Sequence, residues 1–458
     1  MTKKLLENSI VEGPLFRSFA KFLLPLLMGS LIQQSYSTID ALIVGNYAGK
    51  IALAAMDSPF AYIRLLVNAF IMLSSGGGIV ISMLYGAGER KSVEKAVQLM
   101  MLFSIAGGIV ITIVGIVLTP LGLDLMNVPD EIYPLSELYL KTYFTGTLFV
   151  FIYNMASGIL RAVGDSRTPF IYLIISGVTN ILLDFLFVKY IPWGVFGAAF
   201  ATVLAQALAA VLIFIRLVKV EDCYGLRLTR LDGNIKLLSR SLALGAPMAM
   251  QTVMFSVANM YIQSGLNTFG TDVIAGWTIV GRVDIMVYII AEALGLTVTT
   301  FVAQNMGAGK KDRMVGCIHV ALIICAVLYV IMSSLHYFFI GDLARLFTKD
   351  AGAIAQAVEF ERLIAPFYFL YALAEIYAGT TKGIGNTVGP MIATILGIGV
   401  YRVLWMAFIF PLYRSTTTII ISYPISWGLM MIFCIIMFLV IGKKHYECDP
   451  LDAEHPIS

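Results

Sequence analysis

The sequence predicts an all-α membrane protein, with twelve transmembrane helices in two six-helix lobes related by a parallel repeat. Three observations point there. The 458 residues are 59% hydrophobic and only 13% charged, with a mean hydropathy of +0.87, whereas a soluble domain carries about 25% charged residues. Twelve apolar stretches each reach the roughly 20 residues that one bilayer crossing needs. The chain also repeats itself at a spacing of about 221 residues.

The stretches lie near 16–45, 59–83, 97–118, 138–160, 170–190, 195–217, 242–267, 273–303, 315–340, 361–381, 388–410 and 419–441. Pro25 and Pro247, early in the first and seventh, are natural kink points. The opening "MTKKLLENSIVEGPLFRSF" is followed by an apolar run too long for a signal-peptide core, so it reads as the lead-in to the first span. Lys and Arg fall on alternate connections: Lys3, Lys4, Arg17, Lys21; Arg90, Lys91, Lys95; Arg161, Arg167; Arg216 to Arg240; Lys310, Lys311, Arg313; Lys382; Lys443, Lys444. The opposite connections hold only Lys50, Lys189, Arg345, Lys349 and Arg414. Positive charge is retained inside, so both termini are expected in the cytoplasm of a prokaryotic cell, with the protein multi-pass in its membrane.

Three pairs of segments carry the repeat. Pro25 of "LLPLLMGS" matches Pro247 of "GAPMAMQT"; "YGAGERKS" (85–92) matches "MGAGKKDR" (306–313); "RAVGDSRTP" (161–169) matches "KGIGNTVGP" (382–390). Six spans per half put both halves in the same orientation, about an axis along the membrane normal. The organisation read from this is a first lobe over 1–217, a cytoplasmic linker over 218–241 and a second lobe with a short tail over 242–458. The linker could hold a surface-lying amphipathic helix. Two lobes on one chain supply both walls of a central cleft, so a monomer suffices for alternating access. The net charge of +3 is small and by itself says nothing about nucleic acid; no nucleic acid is expected as a partner. The five cysteines are odd in number and form no CxxC, which reads as free thiols. His319 and His336 lack metal-ligand spacing and read as packed or interfacial.

A charged residue at the centre of a bilayer helix costs roughly 2.5–3.5 kcal/mol on insertion scales. Those near span ends, such as Lys141 and Arg362, snorkel. Asp40, in "YSTIDALIVG", and Asp184, in "SGVTNILLDFLFV", do not have that escape. Asn180 precedes Asp184 by four residues and shares its helix face, and Thr202 can add a hydroxyl from the sixth span. Asp40, Asn180, Asp184 and Thr202 are hard oxygen ligands that suit Na⁺, and the acids equally suit a proton. The competing reading is that they only bond helices together. In the second lobe Asp284, Tyr288 and Glu292 form a stripe at four-residue steps, and Glu375 lies one turn from Tyr371. Repeat alignment sets Glu375 over Asn154. Gln34, Tyr36, Tyr153, Asn154, Met254, Glu292, Tyr371 and Glu375 are the candidate lining for a flat, lipophilic and cationic molecule. Whether Asp284, Glu292 and Glu375 serve substrate, cation or each other stays open.

With these residues in place, the sequence resembles the multidrug and toxic compound extrusion (MATE) transporters. The resemblance spans essentially the whole chain and rests on "IDALIVGNYAG", "YGAGERKSVEKA" with "MGAGKKDRM", the paired "RAVGDSRTP" and "KGIGNTVGP", and "NILLDFLFV". It implies cation-coupled antiport, with H⁺ or Na⁺ entering as an amphipathic, often cationic drug leaves, and no other cofactor. It also implies a cation site at Asp40, Asn180 and Asp184, with Thr202 as a further ligand. The acid that some relatives carry in span ten aligns here with Tyr371. The alternative is a flippase or exporter of a lipid-linked or polar biosynthetic intermediate, which would want a more basic cavity. No nucleotide loop, HExxH or GxSxG is present, so an enzyme is not expected.

Overall fold

Helices account for nearly all of the chain in the computed structural model, which describes residues 9–227 and 235–447, and no strand occurs among them. The expectations placed on Lys3, Lys4, Arg230 and Cys448 fall outside the described residues. Among the described residues, eleven helices are long and apolar enough to cross a membrane, twelve if the pair Tyr133–Thr145 and Thr147–Ala162, which meet at 44°, forms one crossing. In hydrocarbon the backbone must bond to itself, and a helix of apolar residues meets that demand within one segment.

The repeat is written into the backbone. Three pairs of glycines with positive φ, Gly49 and Gly270, Gly88 and Gly309, and Gly164 and Gly385, are each separated by 221 residues. The last two pairs close helices by the same device. Beyond each glycine a residue donates its N–H back across the last turn: Glu89 to Leu84 O at 3.0 Å, Lys310 to Asn305 O at 2.9 Å, Asp165 to Leu160 O at 2.8 Å, Asn386 to Thr381 O at 3.0 Å. This is the glycine-ended helix stop, which requires the left-handed conformation that glycine adopts without penalty. The next residue then starts the following helix. An Asp165 carboxylate oxygen accepts from Thr168 N at 2.9 Å, and Asn386 Oδ1 accepts from Gly389 N at 2.8 Å. "GDSRTP" and "GNTVGP" are therefore stop-and-start signals, with Pro169 and Pro390 in the first turn, where a missing N–H is harmless.

Two compact units divide the chain elsewhere than at the boundaries read from the repeat: one holds residues 24–249, the other 1–23 and 250–458. Each division falls close to a proline inside a long helix, Pro25 in Leu15–Tyr47 and Pro247 in Ile235–Leu266. Packing explains the assignment. In the 24–249 unit, Gly76 and Gly245 lie so close to the backbone of Ser241 and Leu73 that a Cβ would collide. In the other unit, Arg313 Nη2 donates to Ile10 O at 2.9 Å and Gly13 O at 2.8 Å, Lys310 Nζ donates to Val11 O at 3.2 Å, and Phe19 packs on Phe301 at 5.2 Å. The basic turn after the eighth span thus binds carbonyls of the chain's own beginning.

The core of the 24–249 unit is mostly Ile, Val, Leu and Ala, with Tyr139, Phe144 and Phe151 among them, and an aromatic stack packs against it. Phe70 stacks on Phe151 at 4.3 Å and on Phe103 at 5.2 Å, against glycines of Arg90–Val117. In the other unit the eighth span, Thr271–Gly307, meets the tenth, Ala351–Gly383, through small residues. Thr299 Oγ1 donates to Gly379 O at 3.0 Å, and a Cβ on Gly379 would overlap the carbonyl of Gly295. Small residues give helices close approach where lipid supplies no hydrophobic drive.

The segment between lobes folds back on its own unit. Leu226 N donates to Leu217 O at 3.0 Å, Arg90 lies 3.8 Å from Asp222, and Arg227 lies 3.6 Å from Glu94. Residues 228–234 of the linker lie outside the described residues, and with them the surface helix expected there; the seventh-span helix begins at Ile235. Cys223 sits half-buried in this turn, and burial, aided by the neighbouring Asp222 carboxylate, pushes its thiol up to about 11.

Two predictions follow from this packing. Gly164→Ala and Gly379→Ala should each lower the thermal unfolding midpoint in detergent, the first through about 1–2 kcal/mol of left-handed strain. Gly158→Ala, where a Cβ meets nothing within 4 Å, should leave it unchanged. In a chain whose only cysteine is Cys223, maleimide labelling at neutral pH should run about a hundredfold slower than on an unhindered thiol. Because the raised group stays protonated until the solution nears its titration point, the rate should climb steeply as pH approaches 11.

Candidate functional site

The first span carries Tyr36 and Asp40 on one face, one turn apart. The fifth, Arg167–Tyr190, carries Asn180 and Asp184 at the same spacing. Regular α-helix ends at Asp184 and passes into a π-helical turn, Phe185–Tyr190. A π-turn also occurs at Trp405–Ile409, near the matching place in the second half. Such turns re-aim side chains by widening the helix, and they gather at functional positions.

The Asp40 and Asp184 carboxyls lie near one another. Asp184 is fully buried and Asn180 is 3% exposed. Asp40 is half-buried as a residue, but its Oδ1 is enclosed. That oxygen, both oxygens of Asp184 and the Asn180 amide nitrogen are shut away from solvent without a hydrogen-bond partner among the described residues. Neither acid has an ion-pair partner among those residues. Tyr139, 6% exposed, lies within electrostatic reach of Asp40, Asp57 and Asp184. An ionised carboxylate enclosed without a donor is strongly disfavoured. These oxygens are of the hard type that could hold a proton or a small hard ion.

Thr202 is half-buried, and its hydroxyl donates to Ala198 O of its own helix at 3.1 Å, leaving only lone pairs to offer a guest. Of the lining candidates, Gln34, Tyr36, Tyr153 and Asn154 belong to the same unit as the acids. Tyr36 lies near Asp40, Tyr143 and Tyr153. The Tyr153 hydroxyl donates to Pro169 O at 2.9 Å, and Asn154 Nδ2 donates to Val150 O at 2.8 Å. Met254, Glu292, Tyr371 and Glu375 belong to the other unit. There Tyr371, 7% exposed, packs edge-on against Tyr288 at 5.2 Å and near Trp427 at 6.2 Å, within reach of Glu375 and Glu292.

The stripe of Asp284, Tyr288 and Glu292 does not act as one surface. Asp284 is buried at the break between two helices, while Glu292 is exposed. His336, read from sequence as packed or interfacial, is buried against Glu361, with Nδ1 2.7 Å from Glu361 Oε1. Tyr139, Tyr143 and Glu361 were not among the sequence candidates. Tyr139 and Tyr143 share the four-residue spacing of the other candidates. Glu361 gave no comparable signal.

Known proteins place these features in a family. The MatE family model matches residues 25–186 and 247–407, one copy in each half. The probable multidrug resistance protein YoeA of Bacillus subtilis is 27% identical over 94% of each chain. The probable multidrug resistance protein NorM of Thermotoga maritima is 27% identical over 84% of each chain. Among solved structures, an outward-facing multidrug resistance MATE family transporter of the MOP superfamily superposes with a TM-score of 0.89 at 21% identity, over 97% of this chain and 99% of that one. The two-part match, the multi-pass helical architecture and the two-half repeat agree: the chain belongs to the MatE family of transporters.

Proposed function

We propose that this protein is an antiporter of the cytoplasmic membrane that exports amphipathic, often cationic compounds by alternating access, coupled to entry of H⁺ or Na⁺. The observation that carries the reading is the pair of enclosed, donor-less acids, Asp40 and Asp184, in one six-span unit. The multidrug names of its relatives support the export of drugs. The distribution of Lys and Arg supports cytoplasmic termini.

The chemistry is a competition for charge. When H⁺ or Na⁺ occupies the carboxyls, the enclosed pair is neutralised and its helices can stay closed around it. When the guest leaves, the exposed negative charge favours a state open to water or to a cationic drug. Each ligand shifts the equilibrium only by its differential affinity for the two states. The membrane potential supplies about 2.3 kcal/mol per charge per 100 mV, and a tenfold gradient corresponds to about 1.4 kcal/mol. One net inward charge per cycle can hold a drug gradient of roughly tens-fold. Tyr36, Tyr153 and the soft residues around them suit a flat cation through ring faces.

The alternative, export of a lipid-linked or polar intermediate, would want arginines free to meet phosphate. Arg402, the fully buried arginine among the described residues, is held over the Tyr423 ring at 3.9 Å and donates to Asn259 and Ser426, with only its Nη2 left without a partner there.

In everted vesicles, dye uptake should follow either an imposed Na⁺ gradient or an imposed pH gradient, and a response to neither would end the antiport reading. Asp40→Asn and Asp184→Asn should each reduce drug movement at least tenfold while the protein stays folded in the membrane. Tyr153→Phe, which loses one hydrogen bond worth about 1 kcal/mol, should retain most of it.

A further inference from the structure

A second buried acid pair lies in the other unit, within a cluster of side chains from three different spans. Asp284 sits at the junction of Thr271–Val283 and Ile285–Gly307, which together make the eighth span; His336 lies within Lys311–Arg345; Glu361 lies in Ala351–Ile364. Tyr368 is the first residue of Tyr368–Gly383, after the 3₁₀ turn Ala365–Phe367 that interrupts the tenth span. Asp284, His336, Glu361 and Tyr368 are 4%, 3%, 0% and 0% exposed. The four polar groups converge: Tyr368 Oη lies 2.7 Å from Glu361 Oε1 and in a short contact with Asp284 Oδ1, and His336 Nδ1 lies 2.7 Å from Glu361 Oε1 and 3.9 Å from Asp284 Oδ1. Glu361 Oε2 is enclosed with no partner among the described residues.

Proton counting decides what this cluster contains. A tyrosine hydroxyl has one proton, so it can donate to one carboxylate only. Tyr368 nevertheless holds both carboxyls at hydrogen-bond range, so one of those contacts needs a proton from the carboxyl side. The simplest arrangement has Asp284 protonated and donating to Tyr368 Oη, Tyr368 donating to Glu361 Oε1, and His336 Nδ1–H donating to the same oxygen. Charge agrees. The other groups that face the cluster are Tyr288 of the eighth span and Tyr423 of the twelfth, and Tyr423 carries the Arg402 guanidinium over its ring. With one carboxyl protonated and His336 neutral, the single remaining anion balances Arg402. With both ionised and His336 still neutral, an uncompensated charge is left in the membrane interior.

We infer that Asp284, Tyr368, Glu361 and His336 form a proton-binding site in the 250–458 unit, in which one exchangeable proton is shared through the Tyr368 hydroxyl between two carboxyls. The site straddles the break of the eighth span and the break of the tenth. Losing its proton to water breaks one O–H bond and leaves two carboxylates repelling across a single hydroxyl, so the two breaks are released together. The inference rests on no role for Asp40 or Asp184.

Infrared spectroscopy of the full-length protein in lipid tests it, in a background carrying Asp40→Asn and Asp184→Asn so that the first pair contributes no signal. A protonated-carboxyl band should be present at neutral pH and disappear on raising the pH. Asp284→Asn mimics the protonated acid, since its amide can donate to Tyr368, so the variant should fold and lose the band. Glu361→Gln should lose it also, and Tyr368→Phe should shift its titration. A band undiminished in both Asp284→Asn and Glu361→Gln would overturn the inference. So would a rise in thermal midpoint on adding Zn²⁺ or Mn²⁺ that His336→Ala abolishes, since the groups would then hold a metal ion.

Discussion

An acid enclosed among apolar helices with no donor beside it is the constraint from which the rest of this structure follows. Asp184 is sealed at the end of the regular part of the fifth span, with Asp40 opposite it and no cation among the described residues to offset either. Structural carboxylates in membranes are normally bonded or paired. Leaving two of them together without donors makes sense where the missing partner arrives and departs. The aromatic stack of Phe70, Phe103 and Phe151 against the glycines of the third span ties the second, third and fourth spans of the same unit together, and a π-turn follows Asp184.

The two halves share a backbone plan but not a chemistry. Glycine stops and Asp or Asn starts recur 221 residues apart, and a π-turn follows Asp184 in one half and includes Trp405 in the other. The polar groups within the spans do not correspond. Where one half has an enclosed pair of acids without donors, the other has a bonded network of Asp284, Tyr368, Glu361 and His336 with Arg402 nearby. A duplicated scaffold preserves what holds helices in register, because each stop and start acts locally. Buried acids are not tied to the scaffold in this way, and they differ between the halves.

Much of the fold was legible in the sequence because its signals are local or periodic. Apolar run length locates spans, and a glycine followed by Asp or Asn marks a helix boundary within six residues. The same is true of Asp40 with Tyr36 and of Asn180 with Asp184, since four-residue spacing places both members on one face. Less legible was anything assembled from distant segments. Glu361 stood at the edge of an apolar stretch and looked like a residue that reaches for the interface. Only the fold sets it against His336 and Tyr368. Arg313 and Lys310 counted in the sequence as topology-setting charge, yet they also bind the carbonyls of residues 10, 11 and 13. The unit boundaries beside Pro25 and Pro247 were hidden for the same reason: a helix that leaves one packing environment for another keeps the same apolar composition throughout.

The account stands or falls on whether cation and drug displace one another. With purified protein in weakly buffered detergent solution, addition of a lipophilic cation such as tetraphenylphosphonium should release H⁺, or Na⁺ if the protein is first loaded with it, and Asp40→Asn should abolish the release while drug binding remains measurable. Drug binding that liberates neither ion, or liberates it equally from the variant, would contradict the central claim.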